Sequence, residues 1–482
     1  MTTKQREVWP ACVAGEPVET GETISVRDKA RGSEIAVVAK GDAALLTRAI
    51  GAAHDARLEV ARLSAVDRAA ACRSVADQID AQAESLAKLL VAEVGKTIRE
   101  ARTEVTRARD TFALAAEEAG RMFGEQLPLD VAESSRGVEG VTRRVPVGVC
   151  SLITPFNFPL NLAAHKVAPA MAAGCPWVLK PASATPLTAL VLAEMVGEAG
   201  WPAGAFSVVP CSGSDSAPLV EDERPGLVTF TGSDEVGWEL KARAGKKKVV
   251  LELGGDAACV IDASADLEHA AARVAFGGYY QAGQSCISVQ RVLVHRDVAE
   301  RFVRDLSARL AKLTVGDPAS EDTDLGPLIT EDDARRVDEW VREAVDGGAQ
   351  LLVGGTPDPP FHPPTLLADV PDGCKLATEE AFGPVAHVRV FDDFDEAIEL
   401  VNSSRYGLQA GVFTNDLTNA VRAWREFEVG GVVVNEVPSF RVDAMPYGGV
   451  KDSGMGREGV RSSIRDMTEE RLLVLRGVGV GG

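Results

Sequence analysis

Cys286 lies in the run Gly-Gln-Ser-Cys at 283–286. Three other segments carry what a thiol nucleophile acting on a carbonyl needs. Glu252, in Leu-Glu-Leu-Gly-Gly at 251–255, is a candidate base. Asn157, in Pro-Phe-Asn-Phe-Pro at 155–159, is a candidate oxyanion donor. Phe-Thr-Gly-Ser at 230–233, followed by Gly237, is a candidate phosphate-binding loop. Each has a plainer reading. A lone Cys is usually a buried small hydrophobe. Asn157 alone is a turn residue between prolines, and Glu252 alone a strand-end carboxylate paired with Lys246 to Lys248. Joint appearance favours the chemistry. A free thiol is only ~3 % thiolate at pH 7, so a neighbouring base or positive charge must raise that fraction.

Strands and helices alternate around these segments, which predicts an α/β fold. Residues 42–122 carry helical apolar spacing, as in Ala43, Leu46, Ala49 and Ile50. Val145–Thr154 reads as one strand ended by Pro155. Leu160–Ala173 reads as a helix stopped by Gly174, and Trp177–Lys180 as a strand ended by Pro181. A helix over Pro186–Ala199 and strands at Phe206–Val209 and Leu227–Phe230 complete a β-α-β-α-β order. That order predicts a parallel sheet holding a nucleotide at its strand ends. The unit lacks a Gly-x-Gly-x-x-Gly run; its glycines are Gly232 and Gly237, with Ser233 reading equally well as an ordinary N-cap. A second α/β unit runs from Gly254 to about residue 450, and Met467–Leu475 reads as a final strand.

Composition excludes several classes. The 482 residues are 45% hydrophobic and 25% charged, ordinary for a globular protein of two or three domains. The net charge of −20 opposes nucleic acid and anionic membranes as partners. No apolar run reaches the ~20 residues of a membrane span, and the N-terminus lacks the apolar core of a signal peptide. The eight cysteines show neither CxxC nor Cys/His spacing, so no metal site and no disulfide frame is predicted. A reducing cytoplasm is the expected location.

Together the four motifs, in this order and spacing, resemble the NAD(P)-dependent aldehyde dehydrogenase superfamily from about residue 10 to about residue 475. The segments at 283–291, 406–411 and 440–454 are similar to its lactaldehyde, phosphonoacetaldehyde and non-phosphorylating glyceraldehyde-3-phosphate dehydrogenase branch. The resemblance implies a dinucleotide-binding domain at 1–122 and 143–253. It also implies a catalytic domain at 254–452 and an oligomerisation β-arm at 123–142 and 453–482, in a homodimer or homotetramer. It implies that Cys286 forms a thiohemiacetal and then a thioester, with Asn157 and the Cys286 N–H holding the oxyanion and Glu252 activating water. Cofactor contacts fall on Thr154, Pro155, Phe156, Lys180, Ser183, Gly232, Ser233, Glu380 and Phe382.

In the family the run after Lys180 is Lys-Pro-x-Glu; here Ser183 replaces the Glu. A Glu would repel a 2′-phosphate and a Ser can donate to one, so NADP as well as NAD is expected. Arg107 and Arg441 match positions that bind anionic aldehydes, Arg441 reading otherwise as a partner of Asp443. Phe158 stands where phosphonoacetaldehyde enzymes carry His, and Ser285 where some carry Arg. These departures imply a short phosphono- or hydroxy-aldehyde. A CoA-acylating enzyme and a non-catalytic relative are the rival readings, opposed by Glu252 and Cys286.

Overall fold

The strand and helix alternation expected between 145 and 233 builds the centre of an eight-stranded sheet in this computed structural model, which describes residues 7–476. Expectations for residues 1–6 and for the end of the arm, 477–482, lie outside the described residues. The sheet's five central strands are Phe206–Val208, Trp177–Lys180, Val149–Ile153, Pro225–Thr231 and Lys248–Glu252, all parallel. Their carboxyl ends lie on one side, where ligands of open parallel sheets bind. Thr154–Phe158, Gly232–Ser233 and Leu253–Gly255 all follow these ends.

The helix Pro159–Ala173 is buried along its whole length. It is covered by Ala65–Ala81 and Ile98–Glu118. Both covering helices begin with capping boxes, Ser64 with Asp67 and Thr97 with Glu100. Reciprocal caps of this kind satisfy otherwise orphaned N–H groups. Gly174 ends the buried helix in a left-handed conformation, φ +80.

One expectation needs correction. Val145–Thr154 is two strands, Val138–Pro146 and Val149–Ile153. The apolar residues run through both, so pattern alone does not show the break. Gly148, at φ +99, turns the chain between them, and the two strands enter different sheets. Val138–Pro146 pairs antiparallel with Thr468–Arg476 along its full length, from Thr468 opposite Pro146 to Arg476 opposite Val138. Gln126–Pro128 completes this three-stranded arm.

The third large element is a seven-stranded sheet. Its strands Thr365–Ala368, Val385–Phe391, Val289–His295, Ala257–Ile261, Gln409–Phe413 and Gly431–Val434 are parallel. The short strand Gly454–Met455 returns from this half to pair with Lys248–Glu252 of the first sheet. Among the described residues no helix is long and apolar enough to cross a membrane. Nor does any group of three or more His, Cys, Asp or Glu side chains there form a metal-holding set.

Candidate active site

A cavity of about 820 Å³ opens between the two large sheets, and Cys286, Glu252 and Asn157 all line it. That volume suits a ligand of cofactor or drug size. Cys286 follows a tight turn in which Gln281, Ala282 and Gly283 all have positive φ. Such a run is unfavourable for residues with a Cβ and persists only where surroundings enforce it. Here Gln281 N–H donates to Glu100, and the turn lies against Gly383. Asn157 Nδ2 donates to the Gln284 carbonyl at 2.9 Å. One of its two amide hydrogens remains for a ligand.

The Leu-Glu-Leu-Gly-Gly run is explained by what each residue faces. Glu252 ends its strand pointing into the cavity. A Cβ on Gly254 would lie 2.8 Å from Glu380 Oε2, and one on Gly255 would lie 2.1 Å from the Cys286 carbonyl oxygen. Only glycine lets this strand end come so close to the nucleophile's backbone.

Glu252 is 2 % exposed and neither carboxylate oxygen has a hydrogen-bond partner. It is not paired with Lys246 to Lys248; Lys248 instead reaches Glu469 of the arm at 2.8 Å. Burial first, and the negative charge of Glu458 second, push Glu252 well above the usual carboxylate range. Burial would raise Glu458 too, but Lys166, Arg441 and His165 outweigh it and hold that carboxyl at about 2. Lys166 Nζ donates to Glu458 at 3.0 Å and to Thr229 Oγ1 at 2.7 Å. Two neighbouring carboxyls are thus pushed in opposite directions, Glu458 down by its cations and Glu252 up by burial.

Cys286 Sγ lies 3.1 Å from the Tyr447 hydroxyl. Burial pushes the thiol up to about 12; the Tyr447 contact opposes this, while Glu380 and Glu252 add to it. Tyr447 is itself stacked under the Arg441 guanidinium, 3.8 Å from ring centre to carbon.

The arginine expectations are corrected in detail. Arg441 pairs with Glu458 at 3.2 Å rather than with Asp443. Asp443 is instead gripped by Arg107 through two nitrogens, at 2.7 and 3.2 Å, and by His165 at 2.8 Å. Arg107, on the helix Ile98–Glu118, is thus already engaged by Asp443. Both arginines line the cavity, as do Phe158 and Ser285. Phe158 lies under Lys96 Nζ, and Ser285 accepts a hydrogen bond from Tyr280.

Of the expected cofactor residues, Pro155, Phe156, Gly232, Ser233, Glu380 and Phe382 line the same cavity. Phe156 meets Phe382 edge to face at 5.8 Å. Ser233 is the N-cap of the helix Asp234–Arg243, but its side chain makes no capping bond. The first N–H groups of that helix lack a side-chain acceptor, as an anion-binding start requires. Glu380 accepts from Gly255 N–H at 2.9 Å, and burial pushes it up to about 7 against that bond. Thr154, Lys180 and Ser183 lie outside this cavity's wall. Ser183 Oγ donates to the Cys211 carbonyl at 2.8 Å, and Lys180 Nζ to the Pro181 carbonyl at 3.3 Å.

Tyr447, Glu458, Lys166, Lys96 and Glu104 were not predicted from the sequence. Lys166 had a readable signal: a charged residue in the mostly apolar helix Pro159–Ala173 must find a buried partner. Glu458 and Tyr447 had none, because their importance comes only from what folds against them.

The fold and this constellation define a nucleotide-binding α/β enzyme with a thiol nucleophile, a buried carboxyl and an amide donor around one cavity. The chain belongs to the aldehyde dehydrogenase family, whose sequence pattern matches residues 17–473, and it is an NAD(P)-dependent aldehyde dehydrogenase. It is 45% identical over 467 residues to 3-sulfolactaldehyde dehydrogenase of Priestia megaterium, covering 96% of this chain and 97% of that one. Aldehyde dehydrogenase 21 from Physcomitrella patens, solved with the reaction product succinate, is 44% identical with a TM-score of 0.96, covering 99% and 100%. Glyceraldehyde-3-phosphate dehydrogenase GapN from Methanocaldococcus jannaschii, complexed with NADP, is 35% identical with a TM-score of 0.91, covering 95% and 100%.

Proposed function

We propose that this enzyme oxidises a short aldehyde bearing an anionic group at its far end, to the corresponding carboxylate, with NADP or NAD. The observation that carries this reading is one cavity lined by Cys286, Glu252 and Asn157 together with Arg107 and Arg441. Arg107 is held by Asp443 and Arg441 by Glu458, so both cations are fixed in place beside the nucleophile, and a fixed guanidinium suits an anionic group on the substrate. The names of the relatives agree in kind: sulfolactaldehyde carries a sulfonate, and succinate carries a second carboxylate.

In this reading Glu252 removes the Cys286 proton, directly or through water, and the sulfur attacks the aldehyde carbon. Asn157 Nδ2 and the Cys286 N–H hold the resulting oxyanion. The bound nicotinamide supplies the hydride acceptor. Glu252, after passing the Cys286 proton to solvent, takes a proton from water as its oxygen attacks the thioester carbon; the C–S bond breaks, the sulfur is reprotonated and the carboxylate leaves. Presence of this carboxyl favours water over CoA as the acyl acceptor. Gly232 and Ser233 would hold the cofactor's diphosphate, Phe156, Glu380 and Phe382 its nicotinamide half, and Lys180 and Ser183 its adenosine ribose. The eight-stranded sheet serves the nucleotide, the seven-stranded sheet the nucleophile, and the arm the assembly of copies in the cytoplasm.

A test compares 3-sulfolactaldehyde and succinate semialdehyde with a neutral aldehyde such as propionaldehyde. Arg107→Ala should cost ~1.5–3 kcal/mol in kcat/KM for the charged substrates and almost nothing for the neutral one. Equal losses for both kinds would refute an anion clamp.

A further inference from the structure

Arg405 ties the two halves of the molecule together across the outer end of the groove. A second cavity of about 690 Å³ adjoins the first, sharing Ser233 and Glu380 with it. One wall carries Ser233, Asp234 and Trp238, and the other Glu379, Arg405 and Tyr406. Asp234 is the first residue of the helix Asp234–Arg243, directly after the candidate diphosphate loop. Arg405 Nη1 donates to Asp234 at 2.7 Å and to Asp452 at 3.1 Å, while Nη2 donates to Glu379 at 2.7 Å. Its guanidinium stacks on the Tyr406 ring at 4.3 Å, and the Tyr406 hydroxyl also reaches Asp234, at 3.3 Å. Three carboxylates therefore converge on one cation, whose planar fork is held by an aromatic face.

We propose that Arg405 is a positioning residue for the dinucleotide: it offsets part of the negative charge of Asp234, Glu379 and Asp452 so that a negatively charged diphosphate can approach the helix start. This rests on the reading that the groove holds NAD(P). The physical case is a balance of charge. Asp234 favours its helix by sitting at the positive end, but the same carboxylate competes with a diphosphate for that end. Glu379 precedes Glu380, and so brings a second negative charge beside the nicotinamide half of the groove. Without Arg405 the cofactor's own charges would meet these carboxylates with no offsetting cation, a repulsion that added salt would screen. Arg405 acts through these carboxylates and takes no part in the reaction at Cys286.

The test measures cofactor dissociation constants by fluorescence titration of NADPH and NADH against the whole enzyme, with melting temperature as a check on folding. Arg405→Gln should weaken binding about 10-fold or more at low salt, with the loss shrinking as salt is raised. KM for the aldehyde at saturating cofactor should stay unchanged. Arg405→Lys, which keeps the charge, should stay within a few-fold of the unchanged enzyme. Asp234→Asn added to Arg405→Gln should recover much of the lost affinity, because it removes the charge that Arg405 offsets. A purely structural tie would lower the melting temperature without this recovery. Unweakened cofactor binding in Arg405→Gln, or failure of Asp234→Asn to restore it, would overturn the proposal. Absence of any cofactor binding by the unchanged enzyme would overturn it together with the reading of the groove.

Discussion

Cys286 rests as a thiol because its surroundings oppose the thiolate. Burial and the nearby Glu380 and Glu252 together push it to about 12. Iodoacetamide should therefore alkylate the cofactor-free enzyme slowly at pH 7 and progressively faster as pH rises past 9. Alkylation as fast at pH 7 as at pH 10 would contradict that protonation state. Glu252 is held well above the usual carboxylate range, chiefly by burial. The base form is lost as pH falls through the folded pKa, so activity should fall off at a higher pH than an ordinary carboxylate would give. Lys166 is one of the cations that pull Glu252 down. Lys166→Met should shift the acid limb of the rate profile further up, and Glu252→Gln should slow turnover by ~10²-fold. An unmoved limb in the first variant, or full turnover in the second, would remove these roles.

At the scale of elements, the loop that carries Asn157 is positioned by a helix rather than by itself. The helix Pro159–Ala173 has no side-chain cap from its own N-cap, Phe158. Glu104, from the helix Ile98–Glu118, supplies one: Oε1 accepts from Leu160 N–H and Asn161 N–H, both at 3.0 Å. The other oxygen takes Lys96, whose ammonium also donates to the Asn157 carbonyl at 2.9 Å. Glu104→Ala would leave two helix N–H groups and a buried ammonium unpaired. Removing one partner of a buried pair costs about 3–5 kcal/mol. The expected result is a lower melting temperature and a kcat loss larger than any change in cofactor affinity. A stable variant with normal kcat would show that Asn157 needs no such support.

Among the described residues, Thr468–Arg476 is an outer strand of the arm and Gly431–Val434 an outer strand of the seven-stranded sheet. Leu472, Leu473 and Val474 are 50%, 58% and 50% exposed, apolar for an outer strand facing water. Unpaired apolar edges favour association with another chain. Replacing Leu472 and Leu473 with Lys should shift the sedimentation coefficient toward that of a single chain. An unchanged coefficient would place the contact between copies elsewhere.

The order and spacing of residues brought Cys286, Glu252 and Asn157 forward as candidates, and the fold gathers all three around one cavity. Cys286, Glu252 and Asn157 were readable because a nucleophile, a base and an amide donor carry signatures in their neighbours, such as the two glycines after Glu252. The helix Pro159–Ala173 and the strand Trp177–Lys180 were readable because periodicity and flanking Gly or Pro are local properties. The break at Val147–Gly148 was not, since an apolar run looks alike whether it serves one sheet or two. Partnerships lay further out of reach. Arg107 with Asp443, Glu458 beside Glu252, Tyr447 at Cys286 and Arg405 across the groove join residues separated by 336, 206, 161 and 171 positions. Charge pairing and desolvation depend on distance in space and on what excludes water. Neither quantity exists until the two large sheets close on one another, so only the tertiary structure decided which acid is pushed up, which is held down and which arginine is already engaged.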